Sequence, residues 1–559
     1  MPIDITMGFI REKRFGNRVY RYLVESYRDR EGRIKQRVIK YLGRVIETKG
    51  GKKLVKARSL IDQLDVMRVS SFGPPAVLCA LADGLGVIET IDATVPQKQE
   101  MSTGALLLLM AINHLVGRKC VSKIPTWYRK TCLPRLFDIP PEEITKDRLL
   151  DAMDALCYED ESGMLMSYAP VLYRKFWKAH AEDHPEASTL FYDLTEVVVH
   201  GITCVLAKPG YNSKNARKRQ IKVAMVVAKG SKFPVLMKEL RGNVADPATL
   251  DDLLAELKEM GVKKCTLILD RSFSNGRTLQ ELENAGFEAI LGLSNHLKEV
   301  RNILLSTPSR ELERFENLVK RQREYAYVKG VRRKFYEKVR NFAVCLSPSR
   351  RDAERSERLS AVKETIKYLE DLKRKVETGN YRNLDRLRKK VDEEIEEVGK
   401  YIRAWVRETD GKPEIGWTVN NSLLDEEFEL DGKFAILYPE RMAALEAFES
   451  YFQKDEIEKV FRSLRGTIEL EPLRHRLRQR VASYLFTGYL AYMLLSILAY
   501  KLKRAGVKQS PDEVLEMLEE VEEVTFRRGG KEFSKITRLT KEQADTIKAL
   551  GVMEIFQSL

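Results

Sequence analysis

The chain has 559 residues, 43% of them hydrophobic, and a net charge of +15, so about three to five domains and a sizeable core are expected. Its seven cysteines (Cys79, Cys120, Cys132, Cys157, Cys204, Cys265 and Cys345) lie at least a dozen residues apart, which excludes Cys-x-x-Cys metal or redox pairs and suits reduced thiols in a cytoplasm. Met1-Pro2-Ile3-Asp4 lacks the basic and then apolar order of a signal peptide, so secretion is not expected.

The charge is concentrated near the start. Residues 11 to 58 hold 17 Lys/Arg against 5 Asp/Glu, a net +12, and a polyanion is the natural partner. Val19 to Val24 and Ile34 to Ile39 alternate β-branched or aromatic residues with cations around a turn at Asp29-Arg30-Glu31-Gly32, which predicts a β-hairpin. It is read either as a nucleic-acid contact, through Arg33, Lys35 and Arg37, or as a solvated edge hairpin. Pro74-Pro75 marks a boundary. Residues 75 to 187 carry a helical pattern, with Ser102-Thr103-Gly104 opening a buried run through Leu115. Trp127-Tyr128-Arg129-Lys130 fits a DNA backbone contact or ordinary core packing.

From residue 188 the period becomes that of strands: Leu190 to His200, Lys222 to Lys229 and Pro234 to Leu240. An amphipathic helix follows over Thr249 to Met260, then an apolar strand over Cys265 to Leu269, a helix over Arg277 to Ala285 and a strand over Ala289 to Leu293. Three strands followed by helix, strand, helix, strand predict a mixed sheet with covered faces. The stretch from 295 to 440 interrupts it, with strand segments at Arg333 to Leu346 and Ile415 to Tyr438. Between them, Ser349 to Glu408 is charged and helical, and Ile366, Leu369, Leu372 and Val376 suit a helical hairpin or coiled-coil arm. Leu445 to Arg465 reads as a helix. Val481 to Leu502 is apolar enough to span a membrane, but its Ser483, Thr487, Gly488, Ser496 and four tyrosines favour a buried helix backing the sheet. The tail from Asp512 is acidic and then basic, with no assignable task.

Three acidic residues stand out. Asp193 lies within Leu190-Phe191-Tyr192-Asp193-Leu194-Thr195, Asp270 ends the strand of Leu267-Ile268-Leu269, and Glu458 lies in the helix 445 to 465. Ligands favour the carboxyl ends of such strands, and two Asp with one Glu supply hard oxygen ligands suited to Mg²⁺ or Mn²⁺. A pair of such ions serves in-line displacement at phosphorus. The six histidines are scattered, against a zinc hydrolase or a Ser-His triad. Tyr451, Lys454, Glu458 and Arg465 advance by three, four and seven residues, on one side of a helix. That stripe suits a carboxylate on metal with flanking cations on phosphates. It equally suits an exposed salt-bridged helix.

These motifs, with Tyr451-x2-Lys454-x3-Glu458-x6-Arg465, resemble a DDE transposase of a prokaryotic insertion sequence, of the insertion-sequence-four type with its Tyr-Arg-Glu-Lys signature. Lys454 and Arg465 exchange the usual Arg and Lys, and Asn215 stands where relatives often have Asp. The resemblance implies a multidomain α/β chain in which a ribonuclease-H-like mixed-sheet core is interrupted by a large β plus helical insertion. The implied division is a basic β-hairpin module (1–72), a helical domain (73–187), the core's first part (188–294), the insertion (295–440), the core's second part with the Glu helix (441–505) and a tail (506–559).

The resemblance also implies a function. Asp193, Asp270 and Glu458 would bind two Mg²⁺ ions, with Mn²⁺ as a substitute, for cleavage at the element's terminal repeats and transfer of the freed 3′-hydroxyl to target DNA. Tyr451, Lys454 and Arg465 would position terminal phosphates, and Trp417 is either an acceptor for a flipped base or a core residue. The implied partners are double-stranded DNA and a second copy of the chain, in a nucleoid-associated cytoplasmic setting without a membrane. A ribonuclease-H-like nuclease without strand transfer would share the trio, and a non-enzymatic DNA-binding descendant would be expected to have lost a carboxylate.

Overall fold

The computed structural model describes residues 8–557 except 17, 29–31, 49–50, 56–64, 98–99, 184–188, 200–203, 210–218, 263, 322–323, 380, 382, 410, 455–456, 461, 463–465, 467, 469–472 and 474. Arg465, Ser213-Lys214-Asn215, Arg474 and the Asp29-Arg30-Glu31 turn therefore lie outside the described residues.

The basic segment forms a four-stranded antiparallel sheet, β1 (Phe9–Phe15), β2 (Arg18–Arg28), β3 (Ile34–Thr48) and β4 (Gly51–Val55), in chain order. The predicted hairpin is its β2–β3 pair, with Val24 opposite Val38. β5 (Asp65–Ser71) then leads into the helix Gly73–Asp83, whose first turn takes Pro74 and Pro75 because those positions have no backbone N–H to satisfy. The helical region follows, broken by the small hairpin β6 (Cys157–Glu159) and β7 (Leu165–Ser167). Ser102 caps the helix Thr103–Ile112 by accepting from the Ala105 N–H, and every residue of that helix is buried. Tyr128 is fully buried and donates to the Ile139 carbonyl, so core packing accounts for it.

The central sheet has ten strands: β8 (Thr189–Val198), β9 (Lys208–Pro209), β10 (Arg219–Ala228), β11 (Pro234–Arg241), β12 (Thr266–Leu269), β13 (Glu288–Gly292), β14 (Leu318–Arg321), β15 (Glu324–Phe335), β16 (Lys338–Leu346) and β19 (Lys433–Tyr438), the last following β17 (Ile402–Thr409) and β18 (Lys412–Val419) in the chain. Its order is β11-β10-β8-β12-β13-β19-β16-β15-β14, with β9 beside β10. β8, β12 and β13 run parallel and the remaining pairs antiparallel. β12 is buried along its whole length, as befits a strand covered on both faces. The helix Leu250–Glu259 buries Leu250, Leu253, Leu254 and Leu257 at helical spacing. Asn275 caps the helix Gly276–Ala285 and Gly286, with φ 78°, ends it.

Several expectations change within 295–440. The strand segment Arg333 to Leu346 is the end of one strand and all of the next, because Tyr336 and Glu337 take positive φ and turn β15 into β16. Ile415 to Tyr438 is β18, a helix (Asn421–Leu430) and β19, not continuous strand. β14, β15, β16 and β19 extend the central sheet, so only the stretch from about 347 to 432 leaves it. There the helices Pro348–Glu377 and Leu384–Ile395 share a small core with the β17–β18 hairpin, built on Leu369, Leu372, Val391, Ile402 and Ile415. Of the two expected forms, a helical hairpin or a coiled-coil arm, the unit has the paired helices, packed on a β-hairpin.

The helix Arg478–Arg504 has the length and apolarity to cross a membrane, yet 83% of its most apolar stretch is buried inside the protein. It packs on β11 and on the helices Thr103–Ile112 and Lys146–Ala155, and the Tyr489 hydroxyl donates to the Pro234 carbonyl. The tail folds as well: β20 (Glu522–Arg528) pairs with β21 (Lys531–Ile536) on one side and with β5 on the other. Buried Glu523 accepts from Arg135 at 3.1 Å.

Leu490 is fully buried in the long helix. Leu490→Ala is expected to cost about 2–5 kcal/mol, read as a lower urea midpoint with secondary structure retained at zero denaturant.

Candidate active site

Alternation along β8 sends Tyr192 and Asp193 to opposite faces. The Tyr192 hydroxyl is bonded to Thr249 Oγ1 at 2.6 Å on one side. On the other, Asp193 meets Lys454. Because β12 is parallel to β8, its carboxyl end delivers Asp270 to the same place. Asp270 caps a short 3₁₀ turn by accepting from the Arg271 N–H. The Lys454 ammonium sits between the two carboxylates, 3.4 Å from Asp193 Oδ1 and 3.3 Å from Asp270 Oδ2.

The carrier of Lys454 differs from the single helix expected over 445 to 465. The helix Ala444–Phe452 ends in a turn at Gln453 and Lys454, and helical backbone is present again from Ile457. The Lys454 N–H reaches back three residues to the Tyr451 carbonyl, and the Ile457 N–H reaches three back to Lys454. This tightening turns Lys454 inward, where it is buried, and leaves Glu458 exposed. The stripe expected through Tyr451, Lys454 and Glu458 is thus interrupted.

Two contacts seat the helix across the sheet. Lys229, just past the end of β10, donates to Ser450 Oγ at 2.8 Å. Tyr451 lies on Gly292 at the end of β13, where a Cβ would stand 2.1 Å from its hydroxyl oxygen. Only glycine leaves that space. Burial pushes the Tyr451 phenol upward, with Asp270 adding to the effect.

Beyond Asp270 opens a cleft of about 940 Å³, lined by Arg271, Tyr451, Lys454 and Glu458 on the sheet side and by Arg350, Arg358 and Lys400 from the inserted unit. Those cations have carboxylate partners: Arg350 with Glu354 at 2.6 Å, Arg358 with Asp431 at 2.7 Å and Lys400 with Glu427 at 3.8 Å. Glu458 shares this cleft with Asp270. Among the described residues no three His, Cys, Asp or Glu side chains are gathered as one metal-holding group. Asp193 and Asp270 nevertheless converge on a single cation, the Lys454 ammonium, and their oxygens are the donor type that Mg²⁺ takes. The donor set fits a divalent ion.

The other predicted residues are dispersed. Arg33, Lys35 and Arg37 are exposed on and beside β3, Arg37 paired with Glu25. Trp417 is partly buried against the inserted unit's own core, with Lys373 over its ring at 5.9 Å. His114 and His475, scattered in sequence, both pack on the Tyr484 ring, and burial pushes each down to about 4.

The family model for the transposase DDE domain matches residues 184–494. The chain belongs to the DDE transposases. A second model, the N-terminal domain of IS1634 family transposases, matches residues 10–65, so this enzyme is an insertion-sequence transposase acting on DNA. Membership implies dependence on a divalent metal ion, typically Mg²⁺. Among solved structures, the transposase is similar to the piggyBac transposase synaptic complex with hairpin DNA, with 11% identity over 81% of this chain and 82% of that one and a TM-score of 0.35. It also matches the Mos1 transposase paired-end complex with left transposon end, with 10% identity over 35% of this chain and 59% of that one and a TM-score of 0.14. No curated sequence matches it.

Asp193 titrates abnormally. Burial pushes its carboxyl up to about 6, while Lys454 pulls it down and Asp270 pushes it up. A carboxyl whose folded pKa is raised binds its proton more tightly in the folded state, so stability is lost as pH rises from about 4 to 6. Asp193→Asn removes that loss. In metal-free buffer, its melting temperature is expected to gain on that of the parent enzyme across this window and to run parallel above it, in thermal scans taken at stepped pH.

Proposed function

We propose that this transposase cuts at the ends of its element and joins them to target DNA through Asp193, Asp270 and Glu458. The observation that carries the reading is the convergence of Asp193 and Asp270 on one cation at neighbouring parallel strands, with Glu458 in the adjoining cleft. The order β11-β10-β8-β12-β13, three antiparallel strands and then two parallel to β8, supports a ribonuclease-H-like core. The same reading divides the chain into a DNA-binding module to about residue 72, a helical domain to about 187 and a split core around the inserted unit.

The three carboxylates would hold two divalent ions, which supply activation of the attacking oxygen and stabilisation of the leaving one. Asp193 and Asp270 would hold the ions from neighbouring strands, and Glu458, on the helical segment after the turn at Lys454, would supply the third carboxylate from the adjoining cleft. Lys454 then gives up its place between the carboxylates, and its ammonium is free to take a phosphate oxygen in the cleft. Tyr451, held on Gly292, walls the cleft beside it, and Arg465 is assigned to the flanking phosphates. Trp417 is better accounted for by the core it packs in than by a flipped base. Arg33, Lys35 and Arg37 are assigned to the duplex backbone, the assembly on DNA to two copies of the chain, and the setting to the nucleoid in the cytoplasm.

The deciding experiment incubates DNA carrying the element's flanking ends with Mg²⁺ and either the parent enzyme or Glu458→Gln. Cleavage and joining by the parent, both reduced at least about a thousandfold in the variant with DNA binding retained, are the expected result. Cutting without joining would overturn the strand-transfer step, and undiminished chemistry in the variant would overturn the role of Glu458.

A second expectation concerns the basic module. Replacing Arg33, Lys35 and Arg37 by alanine is expected to weaken duplex binding and to reduce the slope of log affinity against log salt by about three. An unchanged slope in a salt titration would remove these residues from the interface.

A further inference from the structure

The N-terminal sheet has a face that duplex binding by Arg33, Lys35 and Arg37 does not use. Lys13 lies opposite Tyr20 and Tyr20 opposite Arg44; one pair along, Arg11 lies opposite Tyr22 and Tyr22 opposite Tyr41. Directly paired residues share a face, so these six side chains and Phe15 lie together. The rings form a continuous ladder. Phe15 and Tyr20 have centroids 6.0 Å apart, Tyr20 and Tyr41 6.3 Å, and Tyr41 and Tyr22 5.3 Å. The Lys13 ammonium stands over the Tyr22 ring at 5.8 Å.

This ladder is not a closed core. Phe15 is 61% exposed and Tyr41 38%, and among the described residues of β1 to β4 Val24 alone is a buried hydrophobic side chain. Arg44 Nε is shielded from solvent and has no hydrogen-bond partner among the described residues. An open aromatic face interleaved with cations, in a segment of net charge +12, calls for a ligand offering flat π surfaces and negative charge together.

Unpaired nucleotides offer both. A duplex keeps its base faces stacked inside and presents only phosphates and groove edges. The sheet cannot follow a groove either, because three interstrand spacings of about 4.8 Å already make it about 14 Å wide against about 12 Å for the major groove. We infer that the β1–β3 face binds single-stranded DNA, stacking bases on Phe15, Tyr20, Tyr22 and Tyr41 and taking phosphates with Arg11, Lys13 and Arg44. The inference rests on the reading that this chain works at DNA ends. It adds that those ends, or the flanks beside them, are held unpaired.

The test uses full-length protein carrying Glu458→Gln, so that DNA is bound and not cut. Fluorescence anisotropy compares labelled oligothymidylate of about 15 nucleotides with a duplex of equal length, for that protein and for the same protein with Tyr22→Leu and Tyr41→Leu. The leucines keep apolar volume and remove the rings. Single-strand affinity is expected to fall about tenfold or more, since each stacked base contributes strongly, with duplex affinity and the salt slope unchanged. Equal losses on both DNAs, or none on the single strand, would overturn the inference. Phe15→Leu, at the exposed end of the ladder, guards against misfolding and is expected to give a smaller loss of the same selectivity. Crosslinking of bromodeoxyuridine-substituted oligonucleotide to peptides between Phe15 and Tyr41 would support the face, and crosslinks confined to other peptides would rule it out. Chemistry that survives Glu458→Gln bears on the catalytic reading and leaves this one standing.

Discussion

Two carboxylates of like charge have to be kept side by side, Asp193 mostly buried and Asp270 partly exposed, and the fold around them follows from that demand. The parallel pairing of β8 and β12 brings Asp193 and Asp270 to one end of the sheet, and nothing in that pairing relieves their repulsion. Lys454 does so in the absence of metal. The tight turn after Phe452, the bond from Lys229 to Ser450 and the glycine under Tyr451 all place that one ammonium. A cation set between two acids offsets their mutual repulsion.

The sheet was readable from the sequence because its signals are local. Apolar runs such as Leu267-Ile268-Leu269, and leucines at helical spacing from Leu250 to Leu257, depend on neighbours within a dozen residues. The strand Asp193 sits in and the strand end occupied by Asp270 were legible for the same reason. The break at Gln453 and Lys454 was not. No proline or glycine marks it, and the periodicity of Tyr451, Lys454 and Glu458 continues unbroken through it. At that turn Lys454 meets two acids from distant strands, a tertiary contact that no local pattern carries.

The same limit explains the other differences. Tyr336-Glu337 lacks the Asn-Gly or Asp-Gly of a common hairpin turn, so β15 and β16 read as one segment. The charged stretch from Pro348 shows helical spacing, but that the helices rest on β17 and β18 is settled by residues as far apart as Leu369 and Ile415. The aromatic ladder needs the pairing register of three strands before Phe15, Tyr20 and Tyr41 can be seen as neighbours.

The pairing of β5 with β20 joins Ser71 to Glu522, some 450 residues later in the chain. On a ribosome, the strand that connects the basic module to the body therefore emerges early and waits for nearly the whole polypeptide before it finds its partner. An incomplete product would carry an exposed strand edge and would lack the pairing that ties the N-terminal segment to the C-terminal tail.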